Sequence, residues 1–112
     1  MESLKDKVAL VTGAGKGIGK AVAIALAKEG VNVILVARTQ EEIDSVAAKA
    51  RSLRVKALAI TADVADINSV NAAVAKALTE FGTIDILINN AGIAAFGQFM
   101  ELEPAAWDRI IQ

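Results

Sequence analysis

A glycine-rich segment near the start of the chain is the part of the sequence best suited to chemistry. Four glycines stand at alternate positions with a lysine among them: Gly13, Gly15, Lys16, Gly17 and Gly19. Glycines permit a tight turn and a close approach of the backbone to a ligand, and a helix that begins there presents free N–H groups. Placed between an apolar run and a helical pattern, the segment predicts a site for the phosphates of a nucleotide.

The spacing of these glycines differs from the G-x-G-x-x-G dinucleotide fingerprint, because Ile18 or Lys20 occupies the place of the third glycine. The alternative is an ordinary turn between a strand and a helix. Every glycine adds backbone entropy that folding must remove, so a turn without a ligand has no evident use for so many. The segment is therefore interpreted as a variant of the fingerprint.

The end of the second apolar run favours one dinucleotide over another. Folds that bind NAD place an Asp or Glu about 20 residues beyond the glycines, where it holds the ribose 2′-hydroxyl. This chain has Ala37 and Arg38 there. A guanidinium can hold a 2′-phosphate through charge-assisted hydrogen bonds, and Lys16 can approach it from the other side. Considered alone, either cation is explained equally well as a solvated surface residue. Considered together, the two cations favour NADP(H) over NAD(H).

Two later motifs follow apolar runs. Asp63 and Val64 come where an adenine ring would rest, with a carboxylate for its exocyclic amine and an apolar side chain for its face. An Asp that begins a loop explains them equally well. Asparagine amides can link strand ends, and a glycine lets the backbone approach a ribose or nicotinamide; a turn is the alternative for this second motif, Asn89, Asn90, Ala91 and Gly92.

The segments that must position these residues alternate between strand-like and helix-like spacing of their apolar residues. Apolar runs predict strands over 7–12, 31–37, 55–61 and 84–88. Between them lie three helical stripes: Ile18, Ala21, Val22, Ala25 and Leu26; Ile43, Val46, Ala47 and Ala50; Ile67, Val70, Val74, Ala77 and Phe81. The order predicts an α/β fold, a doubly wound parallel sheet of strand order 3-2-1-4, with the glycines and the Asn-Asn-Ala-Gly motif at its switch point.

Local signals predict where the helices begin and end. Thr39 and Glu42 form a capping-box pattern, and Asp66 can cap the third helix. Gly30 and Gly82 are placed to end the first and third helices. A further helix is expected to begin near Pro104 and to contain Trp107, Ile110 and Ile111.

Composition excludes several classes of function. The net charge is −1 with no basic cluster, which argues against nucleic acid as a partner. There is no cysteine or histidine, so disulfides, thiolate metal sites and the usual neutral-pH acid–base group are missing, and no metal site is expected. No signal-peptide core and no apolar run of about 20 residues is present. These features predict a cytoplasmic protein without membrane contact.

The order and separations of Thr12-Gly13-x-x-x-Gly17-x-Gly19, Asp63-Val64 and Asn89-Asn90-Ala91-Gly92 resemble the short-chain dehydrogenase/reductase family over nearly the whole chain. The match is close to its 3-oxoacyl-[acyl-carrier-protein] reductase branch, and Lys16 with Arg38 resembles the NADPH-dependent members.

The resemblance implies a role for each matching position. Thr12 and Asn89 brace two strand ends, and Asp63 and Val64 line the adenine. The pyrophosphate is lined by Gly13, Gly17, Ile18 and Gly19, and the ribose by Asn90, Ala91 and Gly92. For the intact protein the resemblance implies NADPH-dependent reduction of a ketone, with a 3-oxoacyl thioester of fatty acid biosynthesis as the expected substrate. It also implies a homo-oligomer, with acyl carrier protein as a partner.

The family's catalytic Ser, Tyr and Lys lie beyond the Asn-Asn-Ala-Gly motif, and this chain has no tyrosine. Residues 1–112 are therefore interpreted as the N-terminal half of a single Rossmann-type domain, with no catalytic residue and no activity alone. Two alternatives stay open: a non-catalytic dinucleotide-binding or sensor module, and an assembly fragment that needs a complementary chain. A Tyr-x-x-x-Lys after Gln112 would favour the enzyme.

Overall fold

A computed structural model describes residues 4–90, in which four strands alternate with three helices. In chain order the elements are β1 (Val8–Thr12), α1 (Gly17–Lys28), β2 (Asn32–Ala37), α2 (Gln40–Ser52), β3 (Ala57–Thr61), α3 (Ile67–Phe81) and β4 (Ile86–Ile88). The strands form one sheet in the order β3-β2-β1-β4, and every neighbouring pair is parallel. The predicted doubly wound sheet of order 3-2-1-4 is confirmed.

Helices cover both faces of this sheet. Along β2, Ile34 and Val36 belong to a buried cluster with α3, whereas Val33 and Leu35 pack with α1 and α2. Successive side chains of a strand point to opposite faces, so an uninterrupted apolar strand is suited to a sheet that is covered twice. The continuous apolar runs of the sequence therefore have a direct structural cause.

The register of the central strands brings the candidate site to one edge of the sheet. Val11 of β1 pairs with Ile88 of β4, and Thr12 pairs with Val36 of β2. The carboxyl ends of these three strands consequently lie side by side. The loop after β1 and residues 89–90 after β4 meet where the strand order reverses, which is where doubly wound sheets bind ligands.

Each strand begins later in the structure than the apolar runs predict. The largest differences are in β3 and β4, whose predicted starts at residues 55 and 84 are wrong by two residues. Ile84 is fully buried in the core, but it precedes the β1–β4 pairing. Before β3, the Lys56 N–H donates to the Asn32 side-chain oxygen at 2.9 Å rather than to a strand carbonyl. Apolar residues such as Ile84 are thus buried before the hydrogen-bonded part of their strand begins, and the apolar run is longer than the strand.

Helix ends follow the sequence signals in α1 and α3. The Asp66 side chain accepts a hydrogen bond from the Asn68 N–H at 2.9 Å, so the predicted cap of α3 is confirmed. Gly30 and Gly82 have φ angles of +83° and +77°, the left-handed conformation that glycine adopts after a helix.

The capping box expected at the start of α2 is wrong. Thr39 does occupy the N-cap position, but its side chain makes no capping hydrogen bond. The Glu42 side chain instead lies against Gly15 of the loop after β1. A tertiary contact therefore replaces the local bond that the spacing suggested.

The predicted inner face of α1 is also wrong. Ile18 is 72% exposed, and Ala21 and Ala25 are exposed as well, while Val22 and Leu26 are half-buried. The buried row consists of smaller residues: Gly19, Ala23 and Ala27. Small side chains at i, i+4 and i+8 let a helix backbone lie close to a sheet, so size rather than hydrophobicity decides which row faces inward.

The other two stripes pack largely as expected. Every member of the α2 stripe is buried. In α3 the middle of the stripe is buried, and Ile67 and Phe81 at its ends are half-buried. The further helix expected near Pro104 lies outside the described residues. Within 4–90 no helix has the length and apolar character needed to cross a membrane.

Candidate functional site: a phosphate loop and an adjoining cleft

The loop between β1 and α1 has a backbone that only glycine adopts easily. Gly17 opens α1 with a φ of +61°, and a Cβ built there would meet no protein atom within 4 Å. Packing therefore does not demand glycine at this position, whereas the backbone conformation does. The open space beside the first turn of α1 lets a ligand approach the free N–H groups closely, as phosphate binding requires.

Gly19 is required for a different reason. A Cβ at this residue would lie 2.1 Å from the Gly13 carbonyl oxygen and 2.9 Å from the Asn90 side-chain nitrogen. No side chain fits without moving the loop. The absence of one lets the first turn of α1 rest directly on the loop after β1 and beside the end of β4.

A buried hydroxyl joins the ends of β1 and β4. Thr12 is fully buried, and its Oγ1 accepts a hydrogen bond from the Asn90 N–H at 2.9 Å. The same hydroxyl lies 3.1 Å from the Asn89 Oδ1, to which it can donate its proton. The link between the two strand ends that was expected for Thr12 and Asn89 is present.

A cleft of about 440 Å³ opens beside the loop, between the ends of β2 and β3 and the start of α2. Its lining combines residues of all these segments: Gly13, Gly15, Lys16, Ala37, Arg38, Thr39, Glu42, Ala62, Asp63, Val64 and Ala65. The structure thus brings the predicted 2′-phosphate cations and the predicted adenine residues to one cavity.

The remaining predicted site residues lie outside this lining. They stand at the end of β1, in the first turn of α1 and directly after β4: Thr12, Gly17, Ile18, Gly19, Asn89 and Asn90. Ala91 and Gly92 are outside the described residues. The predicted site therefore divides into residues around the ends of β1 and β4, at the switch point, and residues of the cleft beside them.

The two cations of the cleft are available to a ligand. Lys16 and Arg38 are both exposed, and neither forms an ion pair or side-chain hydrogen bond with another residue of 4–90. Thr39 brings a third donor, because its hydroxyl is not used to cap α2. An acid at position 37 would repel a phosphate, but this position is occupied by an alanine.

The far side of the cleft is shaped by the loop after β3. One carboxylate oxygen of Asp63 accepts from the Ala65 N–H at 2.9 Å, and the Asp63 N–H donates to the Ser69 hydroxyl at 2.9 Å. Val64 packs against the core cluster on the α3 side of the sheet. These contacts hold a carboxylate and an apolar side chain next to each other at the mouth of the cleft.

Sequence reasoning missed two polar residues of the cleft, Thr39 and Glu42. Their spacing was interpreted as a capping box, which concerns only the start of α2. The available signal was that both residues follow Arg38 closely on the segment that leaves β2. Among residues 4–90 no group of His, Cys, Asp or Glu is arranged to hold a metal ion.

A parallel sheet of order 3-2-1-4, with a glycine-rich loop at its switch point and a cation-bearing cleft beside it, defines a dinucleotide-binding domain of the doubly wound class. The family model described as short chain dehydrogenase matches residues 7–112. The chain belongs to the short-chain dehydrogenase/reductase family of oxidoreductases.

Curated relatives carry several reductase names. The chain is 40% identical over 106 residues to a 3-oxoacyl-[acyl-carrier-protein] reductase of Staphylococcus aureus, covering 94% of this chain and 43% of the relative. It is 39% identical to versicolorin reductase 1 of Aspergillus parasiticus, covering 97% of this chain and 42% of the relative. The chain therefore spans less than half the length of the relatives that it matches.

Solved structures agree with the fold. The L-sorbose reductase of Gluconobacter frateurii, solved with NADPH and L-sorbose, superposes with a TM-score of 0.78 at 33% identity. That match covers 96% of this chain and 46% of the reductase. An archaeal alcohol dehydrogenase of Thermococcus sibiricus, solved with 5-hydroxy-NADP, superposes with a TM-score of 0.72 at 34% identity over 74% of this chain and 36% of the dehydrogenase.

Proposed function

We propose that this chain is the cofactor-binding part of an NADP(H)-dependent oxidoreductase that reduces a ketone to an alcohol. The observation that carries the proposal is that Lys16 and Arg38 lie in one cleft with the glycine-rich loop after β1, which we call the phosphate loop (residues 13–16). Neither cation has an ion-pair partner among residues 4–90. Two free cations beside a hydroxyl suit a phosphate dianion, and the apolar Ala37 adds no repulsion.

The described residues fit such a cofactor along its length. The open first turn of α1 at Gly17 suits the pyrophosphate, and the Asp63–Val64 pair suits an adenine ring. Lys16 and Arg38 would hold the 2′-phosphate between them, and Asn90 would lie beside the ribose. When bound, NADPH supplies the hydride, while the protein binds and orients it.

The proposed substrate class is a 3-oxoacyl thioester. Its support is the similarity to the Staphylococcus aureus reductase, and a thioester carried by acyl carrier protein is the proposed form. A small-molecule ketone is the competing class, since two other similar proteins are named for versicolorin and L-sorbose. Initial rates of the intact protein with 3-oxoacyl thioesters and simple ketones distinguish the two classes; faster turnover of the simple ketones would contradict the thioester proposal.

The cofactor proposal is tested by replacing one cation. Arg38→Ala in the intact protein is expected to raise the dissociation constant for NADPH roughly tenfold to a hundredfold, the size of a lost charge-assisted hydrogen bond, and to leave that for NADH nearly unchanged. Titration of cofactor fluorescence measures both constants.

Arg54→Ala is the matched control. Arg54 is exposed just beyond the far end of α2, about 20 Å along that helix from the cleft. The Arg54→Ala substitution removes the same charge and should change neither the NADPH nor the NADH dissociation constant. An equal loss for both cofactors in Arg38→Ala would contradict 2′-phosphate recognition. NADPH binding without ketone reduction under any condition would favour a non-catalytic binding module.

A further inference from the structure

We infer that Glu42 is a specificity-determining residue that limits the preference of this cleft for a 2′-phosphate, an inference that rests on the proposed NADP(H) site. The cleft that holds Lys16 and Arg38 also contains this carboxylate. Its presence makes the site less selective between NADPH and NADH than its two cations alone would make it.

The position of Glu42 is set by a close contact across the cleft. A Cβ built on Gly15 would lie 2.8 Å from the Glu42 Cβ and 3.4 Å from its Oε1. The carboxylate therefore lies beside the backbone of the phosphate loop, directly next to Lys16 in sequence. Glu42 is partly buried there, whereas its neighbour Glu41 is exposed and outside the lining.

The carboxylate of Glu42 is not engaged elsewhere in the described part of the chain. It forms no ion pair or hydrogen bond with any residue of 4–90. The other acid of the lining, Asp63, already accepts a hydrogen bond from the loop after β3. Of the two acids in this lining, Glu42 is thus the one whose carboxylate oxygens accept no hydrogen bond from residues 4–90.

An acid in this position weakens phosphate binding by electrostatic repulsion. Its negative charge lowers the positive potential that Lys16 and Arg38 create where the dianion would bind. The ribose 2′-hydroxyl of NADH carries no charge and escapes this repulsion. Removing the charge of Glu42 should therefore strengthen the binding of 2′-phosphorylated ligands selectively.

The test compares 2′,5′-ADP with 5′-AMP, which differ by the 2′-phosphate alone, as ligands of the intact protein in calorimetry. The measured quantity is the selectivity ratio, the dissociation constant of 5′-AMP divided by that of 2′,5′-ADP. Glu42→Gln is expected to raise this ratio roughly three- to tenfold at low salt, as for a charge that faces a dianion across about 8 Å of solvated cleft. At about 0.5 M salt the gain should fall below about twofold.

Two control variants distinguish an effect of the Glu42 charge from an effect of changed structure. Glu41→Gln removes the same charge from the same first turn of α2, with the same effect on the helix, and should leave the ratio unchanged. Glu42→Asp keeps the charge and should retain a ratio near that of the wild type. An unchanged or lower ratio in Glu42→Gln, or an equal rise in Glu41→Gln, would overturn the inference.

The selectivity ratios distinguish a failure of the cofactor proposal from a failure of the role assigned to Glu42. If the wild-type ratio is near one and Arg38→Ala does not lower it, the cleft does not bind the 2′-phosphate and both proposals fail. If Arg38→Ala lowers the ratio and Glu42→Gln has no effect on it, only the role of Glu42 is wrong. A weakening of both ligands to the same extent in Glu42→Gln would assign Glu42 a structural role and likewise overturn the inference.

Discussion

Replacing Thr12 by valine tests whether one buried hydroxyl holds the two strand ends of the site together. Valine has nearly the same shape, so the substitution leaves no cavity at this fully buried position. It removes the acceptor of the Asn90 N–H at 2.9 Å and the donor facing the Asn89 Oδ1 at 3.1 Å. The change therefore isolates hydrogen bonding at the switch point.

The expected loss follows from the number and setting of these bonds. A typical intramolecular hydrogen bond contributes about 0.5–1.5 kcal/mol net, so two of them amount to about 1–3 kcal/mol. Asn90 is exposed, and water can replace part of what its N–H loses. We therefore expect a loss of about 1–2 kcal/mol, which corresponds to a Tm decrease of about 2–8 °C for a domain of about 150–250 residues.

Thermal unfolding of the intact protein, followed by circular dichroism, measures this decrease. Thr79→Val is the matched control, because Thr79 is exposed on α3 and its hydroxyl bonds only to the Ala75 carbonyl of its own helix. The control should change stability by less than about 0.5 kcal/mol. Equal Tm values for the two variants would refute the argument that Thr12 braces β1 against β4.

Four further results are expected. Gly19→Ala should weaken NADPH binding at least about tenfold, because a Cβ 2.1 Å from the Gly13 carbonyl oxygen displaces the loop; wild-type affinity in a titration would contradict this. Arg54→Gly should raise the free energy of unfolding in urea by about 0.5–1 kcal/mol, since Arg54 has a φ of +70°; a decrease would show that the arginine side chain outweighs its backbone strain. Asp85→Ala should lower that free energy by about 1–2 kcal/mol, because the Val8 N–H loses a carboxylate acceptor at 2.9 Å, and a neutral effect would exclude this contact as a support of the β1–β4 pair. The 112-residue chain alone should show no NADPH-dependent ketone reduction, as it has no Tyr, His or Cys to supply a proton; turnover above a protein-free blank would refute that expectation.

The sheet was predictable because its strands are apolar on both faces. Runs such as residues 31–37 alternate with helical stripes, and few arrangements other than a covered parallel sheet accommodate that order. The strand order followed from the doubly wound pattern, which makes β1 and β4 neighbours and so brings the glycines after β1 and the asparagines after β4 together. Helix ends at Gly30, Asp66 and Gly82 were predictable because their signals are local.

The inner face of α1 was not predictable from hydrophobicity. Ile18 is among the largest apolar residues of the helix, yet it is 72% exposed, while Gly19 faces inward. How closely a helix approaches a sheet depends on the smallest residues at the contact. A search for a stripe of large apolar residues overlooks these small residues. A row of Gly and Ala four residues apart is the pattern that indicates such a close approach.

The acid of the cleft was hidden for a related reason. Glu42 follows Thr39 at capping-box spacing, so local rules assign it to the start of α2. Its place in the site depends on Gly15, which lies beyond an intervening helix and strand and admits the Glu42 side chain only because it has none of its own. Contacts between distant segments of this kind emerge only once the segments are assembled.

The location of the 2′-phosphate tests the central claim most directly. A crystal structure of the intact protein with NADP⁺ would show it without reference to affinity or activity. We predict that the 2′-phosphate oxygens lie within about 3 Å of both the Lys16 Nζ and the Arg38 guanidinium, with the adenine against Val64. A cofactor whose 2′-phosphate lies in solvent, or whose adenine occupies another part of the surface, would contradict the account.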